Sequence, residues 1–417
     1  MFRIFHTPVA IAAAGLAIGL CVSPRSADAG DFRVAHAFTA SEGYHPYAGL
    51  VSDAKGNMFG AQSSGGTGCA PFGCGTIFKM APGGSVTVLY QFLGGNDGAS
   101  PVSTLVRDKQ GNLYGTTTSG GSSGCGGNGC GTVFELTPDG QETLLHAFTG
   151  GTDGQSPYGG LAIDRHGNLF GTAFGGGNAG CGEHGGCGTV FEITSGGAFS
   201  VLHAFTAGSD GAFPNGGATV DAHGDVYGTT EAGGGGNCQN GDVGGCGAIF
   251  EIGAGGAETV LYAFTGAADG DFPEASPIVD KAGNLYGTTF FGGSGQCQCG
   301  TVYELAPGGA LTVLHTFAQT DGALPYGSLL RDTSGTLYGT TEEGGRSCRP
   351  GGCGVVFALA PDGTETVLHA FNETTDGHYP DSAPIMDKKG NLYGTATWGG
   401  NQSCSNGCGT VFEVKLK

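Results

Sequence analysis

Two positions of a seven-fold repeat carry the side chains of this sequence that are best suited to chemistry. The first position directly follows a proline at the end of a loop rich in Gly and acidic residues. It changes from copy to copy although its surroundings repeat, and it holds aromatic, amide and carboxyl side chains. In chain order the position is occupied by Tyr47, Val102, Tyr158, Asn215, Glu274, Tyr326 and Asp381.

The second position lies where a strand runs into a loop that carries two cysteines. Residues shared by all copies serve the repeat unit, whereas residues that break the symmetry are free to serve a ligand. The pairs at this position are Ser63-Ser64, Thr118-Ser119, Phe174-Gly175, Glu231-Ala232, Phe290-Phe291, Glu342-Glu343 and Thr397-Trp398, and Trp398 is the only tryptophan of the chain.

Aromatic rings stack on sugar faces, and acidic groups accept hydrogen bonds from hydroxyls. We therefore expect a non-enzymatic binding surface for an extracellular polysaccharide or another extracellular polymer. Its candidate residues are Tyr47, Tyr158, Asn215, Glu274, Phe290, Phe291, Tyr326, Asp381 and Trp398. Two alternatives stay open: a solvated rim of no function, since loops vary freely, and a scaffold that recognises a protein through the same face.

Cleavage of a polysaccharide by a hydrolase or lyase is the rival interpretation of the same carboxyls. Its candidate catalytic residues are Glu274, Glu342, Glu343 and Asp381. Glycoside cleavage needs two carboxyls about 5 to 9.5 Å apart, a distance that sequence does not supply. The sequence shows no nucleophile motif, so we favour binding over catalysis.

The repeated polar residues have structural explanations. An Asp opens each "DxxGN" turn, where its side chain bonds the backbone that follows. A second acid, such as Asp153, precedes Gly in each loop between copies, and a calcium ion there is the alternative to turn capping. One carboxylate per copy falls short of the six to eight oxygens that calcium takes, so we expect no metal and no cofactor.

The phrase "GNLYGTT" and its variants begin at seven glycines separated by 52 to 59 residues, which sets the repeat. In the third copy, turns and alternation predict strands at 159–164, 168–174, 188–193 and 199–205. Four strands per copy and no helical periodicity predict an all-β, seven-bladed propeller of four-stranded antiparallel blades. Residues 32–38 match a fourth strand and the chain ends after a third, so we expect the N-terminal strand to close the last blade.

Fourteen cysteines follow residue 30, two in each repeat. A structural zinc site needs four ligands, whereas each loop offers only two thiols. Disulfides are therefore the favoured interpretation. The bond between Cys297 and Cys299 is doubtful because its ring is very small. The predicted pairs are Cys69/Cys74, Cys125/Cys130, Cys181/Cys187, Cys238/Cys246, Cys297/Cys299, Cys348/Cys353 and Cys404/Cys408.

With its seven copies of "GNLYGTT…CGTVFEL…TVLHAF", the chain resembles the choice-of-anchor tandem repeat family, also called the Gloeo/Verruco repeat. The resemblance implies an exported or surface protein with no established enzymatic activity. The chain ends at Lys417 without an anchoring segment, so we expect the protein to be released in soluble form and not attached to the cell surface. The piece "PYGGLAIDRHGNLF" is also similar to NHL-type repeats, which implies the same propeller fold.

The ends and the charge of the chain indicate where it works. Residues 1–29 have the layout of a signal peptide, and we expect a secreted, extracellular or periplasmic monomer at 30–417 with no membrane insertion. The formal net charge of -20 argues against nucleic acid as a partner. We also expect no cluster of Lys and Arg on one face, and the acidity favours cations or neutral polar ligands.

Overall fold

The computed structural model describes residues 31–182, 185–238, 243–295, 297–345, 351–372 and 375–416. Seven antiparallel sheets, each built on four consecutive positions of the repeat, form the blades. In the described residues the only helices are the short 3-10 turns Gly95–Asp97 and Cys125–Gly127. The prediction of a seven-bladed propeller with four-stranded blades is therefore confirmed.

The strands keep the same order in every blade, from the channel outward. The first strands are Val51–Ser52, Val106–Arg107, Ala162–Ile163, Thr219–Val220, Ile278–Val279, Leu330–Arg331 and Ile385–Met386. The second strands are Met58–Gln62, Leu113–Thr117, Leu169–Ala173, Val226–Thr230, Leu285–Thr289, Leu337–Thr341 and Asn391–Ala396. The third strands are Thr76–Met80, Thr132–Leu136, Thr189–Ile193, Ala248–Ile252, Thr301–Leu305, Val355–Leu359 and Gly407–Lys415. The fourth are Val86–Gln91, Glu142–Ala147, Phe199–Ala204, Glu258–Ala263, Leu311–Thr316, Glu365–Ala370 and Phe32–Ala37, and Gly399–Gly400 is an added short strand.

The core lies between neighbouring blades and is built from repeated aromatic residues. Phe148, which follows the fourth strand of one blade, meets Phe191 of the next edge to face, with ring centroids 5.3 Å apart. The glycine of "GNLYGTT" makes this packing feasible, because a Cβ on Gly171 would lie 2.5 Å from the Phe191 ring. Each repeat therefore needs a glycine opposite its core aromatic residue.

The two ends of the chain meet in one blade, as the phase of the repeats predicts. Phe32–Ala37 pairs antiparallel with Gly407–Lys415 and completes a sheet whose other strands come from the C-terminus. The seam is also tied at the channel, where the Thr395 hydroxyl donates to the Ala48 carbonyl at 3.0 Å. The ring is closed by strand pairing and hydrogen bonds across the two ends.

Disulfides join the cystine loops in the described part of the chain. The bonded pairs are Cys69–Cys74, Cys125–Cys130, Cys181–Cys187, Cys238–Cys246, Cys297–Cys299 and Cys404–Cys408, with Cα atoms 5.0 to 5.3 Å apart. The predicted Cys348–Cys353 pair and the signal peptide fall outside the described residues. Across those residues, no helix has the length and apolar character that a membrane crossing requires.

Candidate functional site

The variable position after each proline is presented to the channel by an unusual backbone conformation. In every blade the residue before that proline has a positive φ although it is not glycine. A left-handed conformation is costly for branched and aromatic side chains, so tertiary contacts must hold it. The seven residues are His45, Ser100, Ser156, Phe213, Phe272, Leu324 and Tyr379, with φ between 52° and 60°.

Threonines of the second strands hold the same segments from behind. The Thr172 hydroxyl donates to the Gly216 carbonyl of the next blade at 2.8 Å. Thr229 does the same to Ala275 at 3.0 Å. Buried hydroxyls that bond a neighbouring backbone fix that backbone in place, because leaving them unpaired would cost free energy. The walls of the channel are therefore set by contacts between blades.

These segments surround one cavity of about 460 Å³ at the centre of the ring. Its volume is in the range of small-molecule sites. The structure brings all seven variable positions together in its lining: Tyr47, Val102, Tyr158, Asn215, Glu274, Tyr326 and Asp381. Tyr47 and Tyr158 keep 37% and 42% of their surface exposed, so their rings are open to a ligand.

The second variable position contributes side chains outside this lining. Phe290 lies against Tyr326 with ring centroids 6.1 Å apart, and Phe291 stacks edge to face on Phe290. Trp398 lies 4.0 Å from the ring of His45, which in turn is 6.3 Å from Tyr47. The structure thus places these three aromatic residues behind or beside the cavity, in contact with it through other rings.

Glu274 is one of the two carboxyl residues that line the cavity. Burial, followed by the nearby charges of Glu231 and Glu342, raises its pKa to about 8, although a hydrogen bond from Asn215 opposes the shift. Asn215 Nδ2 lies 3.2 Å from Glu274 Oε2 and 3.5 Å from the hydroxyl of Tyr326. Near neutral pH this carboxyl is therefore largely protonated and can donate as well as accept a hydrogen bond.

Asp381 and Glu342 form the second acidic part of the site. Burial and the charge of Glu342 raise the pKa of Asp381 well above its usual range, while a 2.7 Å hydrogen bond from the Thr397 hydroxyl to Oδ2 opposes this. Asp381 Oδ1 is withdrawn from solvent and has no hydrogen-bond partner. Burial and Glu343 raise the pKa of Glu342 to about 7. Glu342 and Glu343 act on the cavity through charge and are not part of its lining.

Several residues of the cavity lining escape sequence reasoning. Ser103, Thr104, Ser276, Ser328 and Ser382 also line the cavity, and the hydroxyls of Ser103 and Ser382 bond those of Thr116 and Thr395. Each of these lining residues follows the variable position by one or two residues. This closeness in sequence is the only feature from which their place in the lining could have been predicted. The hydroxyl that orients Asp381 belongs to Thr397 and comes from the cystine-loop side of the same blade.

The acid of each loop between blades is used within that loop. Asp153 accepts the Thr149 N–H at 2.9 Å and lies 3.2 Å from His146 Nε2. In the next blade but one, the Tyr262 hydroxyl takes the place of His and donates to Asp269 at 3.0 Å. These bonds occupy the carboxylates as turn caps, which is the structural role that the sequence predicts, and they account for His and Tyr at one position.

One group of potential metal ligands occurs among the described residues, on the opposite face. Ligand atoms of Asp221, His223 and Asp225 lie within 4.8 Å of one another. The Asp221 Oδ1 atom accepts the N–H groups of both other residues, at 2.8 and 3.0 Å, and its Oδ2 is 3.0 Å from His223 Nδ1. Asp225 Oδ1 accepts the Ala254 N–H at 2.9 Å. The group is a hydrogen-bonded turn with its oxygens in use.

The expectation that Lys and Arg nowhere gather on one face is wrong at the ring seam. A groove of about 730 Å³ between the first and last blades is lined by Arg33, Lys55, Lys388, Lys389 and Lys415, together with Asp53, Asp387 and Glu413. Ring closure causes this, because it brings residues near both ends of the chain side by side. Lys388 Nζ, for example, donates across the seam to the Ala54 carbonyl at 2.9 Å.

The chain belongs to a known repeat family. The Gloeobacter/Verrucomicrobia repeat matches residues 22–243 and 235–417, which together span every blade. This confirms the resemblance carried by the "GNLYGTT" phrase. No protein with a curated description matches the chain.

A solved structure shows the same fold at low sequence identity. The extracellular domain of a proposed one-component system from B. thetaiotaomicron aligns with 94% of this chain at a TM-score of 0.54 and 12% identity. The alignment spans 42% of that longer protein. A gluconolactonase from Xanthomonas campestris aligns with 74% of this chain and 83% of its own, at a TM-score of 0.41 and 14% identity. The likeness to the extracellular domain concerns the propeller architecture alone.

Proposed function

We propose that this protein is an exported binding module whose central channel takes a saccharide. The observation that carries the proposal is the convergence of the symmetry-breaking positions on one cavity. Tyrosine, asparagine, carboxyl and serine residues all line the same cavity, and such sets recognise polyhydroxylated ligands. The disulfides are typical of proteins that fold in an oxidising compartment and support export.

The carboxyls of the site favour binding over hydrolysis. A glycosidase needs one protonated carboxyl and one ionised carboxylate, and their surroundings must push the two pKa values apart. In this channel the pKa values of Glu274, Glu342 and Asp381 are all shifted upward. Raised pKa values in all three leave no carboxyl whose surroundings favour the ionised form that a nucleophile or base requires.

Glycoside cleavage is a second candidate because pKa values of about 8 and 7 suit general acids. It predicts that reducing ends appear when the protein is incubated with its polysaccharide. Glu274→Gln and Asp381→Asn should each abolish that release. Release that persists in both variants would contradict these assignments, and no release by the wild type from any bound polymer would leave binding alone.

The fluorescence of Trp398 offers a test of binding. Trp398 is the only tryptophan of the chain, and its ring contacts His45, which lies next to the lining residue Tyr47. We expect a saturable change in its emission with the matching saccharide of a broad panel. Tyr158→Ala removes an exposed ring and Asn215→Leu removes the amide bonded to Glu274, so each should weaken binding by about tenfold.

The matched control is Leu93→Ala, which removes a side chain that is 64% exposed and is not part of the channel lining. The affinity of this variant for the saccharide should equal that of the wild type. Calorimetry should give the same affinities as fluorescence, because heat does not depend on the position of Trp398. No heat and no emission change across the panel would contradict the proposal.

A further inference from the structure

The described Lys and Arg residues are kept away from the channel. The cavity lining contains two carboxyls and three tyrosines, and no Lys, Arg or His occurs among its residues. Several cations lie instead in the turns at the other end of the blades, at Lys55, Lys109, Arg165, Lys281, Lys388 and Lys389. His45, close to Tyr47, has its pKa lowered by burial and is neutral at pH 7. Within the described residues, the channel lining therefore has carboxyl side chains and no cationic side chain.

The carboxyls also have more acceptor sites than the protein fills. Asp381 Oδ1 has no partner, and its other oxygen has the single donor Thr397. Glu274 receives one donor, the amide of Asn215. A buried acceptor without a donor is costly, so a ligand that brings several donors is favoured at this point.

The rings of the cavity suit the same kind of ligand. Tyr47 and Tyr158 are partly exposed, and Tyr326 is packed between Asn215 and Phe290. A cation within about 6 Å of an aromatic face is attracted by the ring quadrupole. Tyrosines beside carboxyls are therefore suited to an ammonium group as well as to the apolar face of a sugar.

A bare metal ion fits the arrangement less well. Within the described residues, the only three His, Cys, Asp or Glu ligand atoms that come within 4.8 Å of one another belong to the turn at Asp221 on the opposite face. The described channel carboxyls are not part of any such group of three ligand atoms, whereas an organic cation can reach them separately.

We infer that the saccharide this channel takes carries a protonated amine, as amino sugars do. The inference rests on the proposed function and specifies its ligand. It is supported by the unpartnered Asp381 oxygen, the Glu274 carboxyl and the open tyrosine rings, in a cavity whose described lining residues include no cation. An ammonium group has three donors and no acceptor, which matches this excess of acceptors.

Binding should then release protons. Among the described residues, the groups that interact with Glu274, Asp381 and Glu342 are the carboxyls of Glu231 and Glu343, the hydroxyls of Tyr47, Tyr326 and Thr397, and the amide of Asn215. Burial and the charges of neighbouring carboxyls raise the pKa values of Glu274 and Glu342 to about 8 and 7, so both groups are largely protonated at about pH 6. A bound ammonium favours their ionised form, so the protons leave as the ligand enters.

The test compares two ligands on the mature, oxidised protein. One is the β-1,4-linked trimer of glucosamine and the other is its N-acetylated form, which has the same ring skeleton without the charge. Calorimetry at about pH 6 in two buffers of different ionisation enthalpy gives affinity and proton release together. We expect the amine form to bind at least about tenfold more tightly and to release about one proton per ligand.

The other outcomes overturn the inference in distinguishable ways. Equal or tighter binding of the acetylated trimer, or binding of the amine without proton release, removes the inference and leaves the proposed function standing. No binding of either trimer also removes it, and the Trp398 titration with the full panel then decides the proposed function separately.

Asp381→Asn tests the residue that carries the most weight. The change keeps the shape of the side chain and removes its charge, so the preference for the amine trimer should fall from about tenfold to about one. If Asp381→Asn folds poorly, the same preference for the amine trimer is measured with Glu274→Gln. Asp362→Asn, in an exposed turn on the opposite face, is the matched control and should keep the wild-type preference. A preference retained in both channel variants would overturn the assignment.

Discussion

Carboxyls at the two ends of the same blades have opposite surroundings. In the turn of the third blade, Asp164 accepts hydrogen bonds from the N–H groups of His166 and Asn168, both at 2.8 Å. Although burial acts against it, these bonds lower the pKa of Asp164. At the channel, Asp381 and Glu274 have one donor each, and their pKa values rise. Repetition marks carboxyls that the fold satisfies, whereas the carboxyls at the symmetry-breaking positions receive fewer donors from the fold.

The two ends also differ in how tightly the backbone is packed, and this gives the largest expected effect. A Cβ on Gly188, in the cystine loop, would lie 2.4 Å from Pro214 Cδ of the next blade, and the φ of Gly188 is +95°. Gly188→Ala should therefore lower the free energy of unfolding by about 3 kcal/mol, measured by denaturant titration.

Gly196 is the matched control at the opposite end of the same blade. The nearest atom to an added Cβ there is Thr194 Oγ1 at 3.8 Å, so Gly196→Ala should change stability by no more than about 0.5 kcal/mol. Similar losses in both variants would show that the two ends do not differ in packing.

The satisfied carboxyls can be tested at Asp280. Its Oδ1 accepts the N–H groups of Ala282 and Asn284 at 2.8 and 3.0 Å, and its Oδ2 accepts the Asn284 amide at 3.1 Å. Asp280→Ala should cost about 2 kcal/mol of unfolding free energy at pH 7.

The pH dependence of that loss follows from the lowered pKa of Asp280, where hydrogen bonds outweigh burial. A lowered pKa contributes stability above the ordinary value of 3.8, and this contribution disappears as the pH falls through the folded value. The wild type and the variant should therefore converge in strong acid. A constant difference at all pH values would contradict the assigned role of the ionised carboxylate.

The unsatisfied carboxyls should behave in the reverse way. The pKa of Glu274 is raised from 4.5 to about 8, so its stabilising contribution is complete below 4.5 and is lost as the pH rises toward 8. Glu274→Gln, which resembles the protonated form, should leave the thermal midpoint unchanged near pH 5. At about pH 8 to 9 it should stabilise the protein by about 1 kcal/mol. A variant that is less stable than the wild type at high pH would refute this.

Much of the fold could be predicted from the sequence because each structural need recurs seven times. The phase of residues 32–38, which predicts that the N-terminal strand closes the last blade, is one example, and the structure confirms it. The glycine opposite each core aromatic residue, such as Gly171 opposite Phe191, became apparent only in the structure. The predicted first strand at 159–164 is shorter in the structure, at Ala162–Ile163, because the residues before it leave the sheet to line the channel.

The site could be predicted only in part. The position after each proline was recognisable by its variation, but variation does not tell which side chains share a cavity. The repeat positions of Phe290 and Trp398 vary from copy to copy as much as the position of Tyr158 does. Phe290 and Trp398 nevertheless lie outside the cavity lining. The donor from Thr397 to Asp381 and the basic groove at the seam depend on contacts between distant segments, which no local pattern reports.

The most direct test of the central claim is a crystal structure of the protein with the saccharide that binds best. The account predicts ligand density inside the ring, with sugar atoms within hydrogen-bond distance of Asp381, Glu274 and Asn215 and a ring stacked on Tyr47 or Tyr158. Density confined to the basic groove at the seam or to the "DxxGN" turns, with the channel filled by water alone, would contradict it.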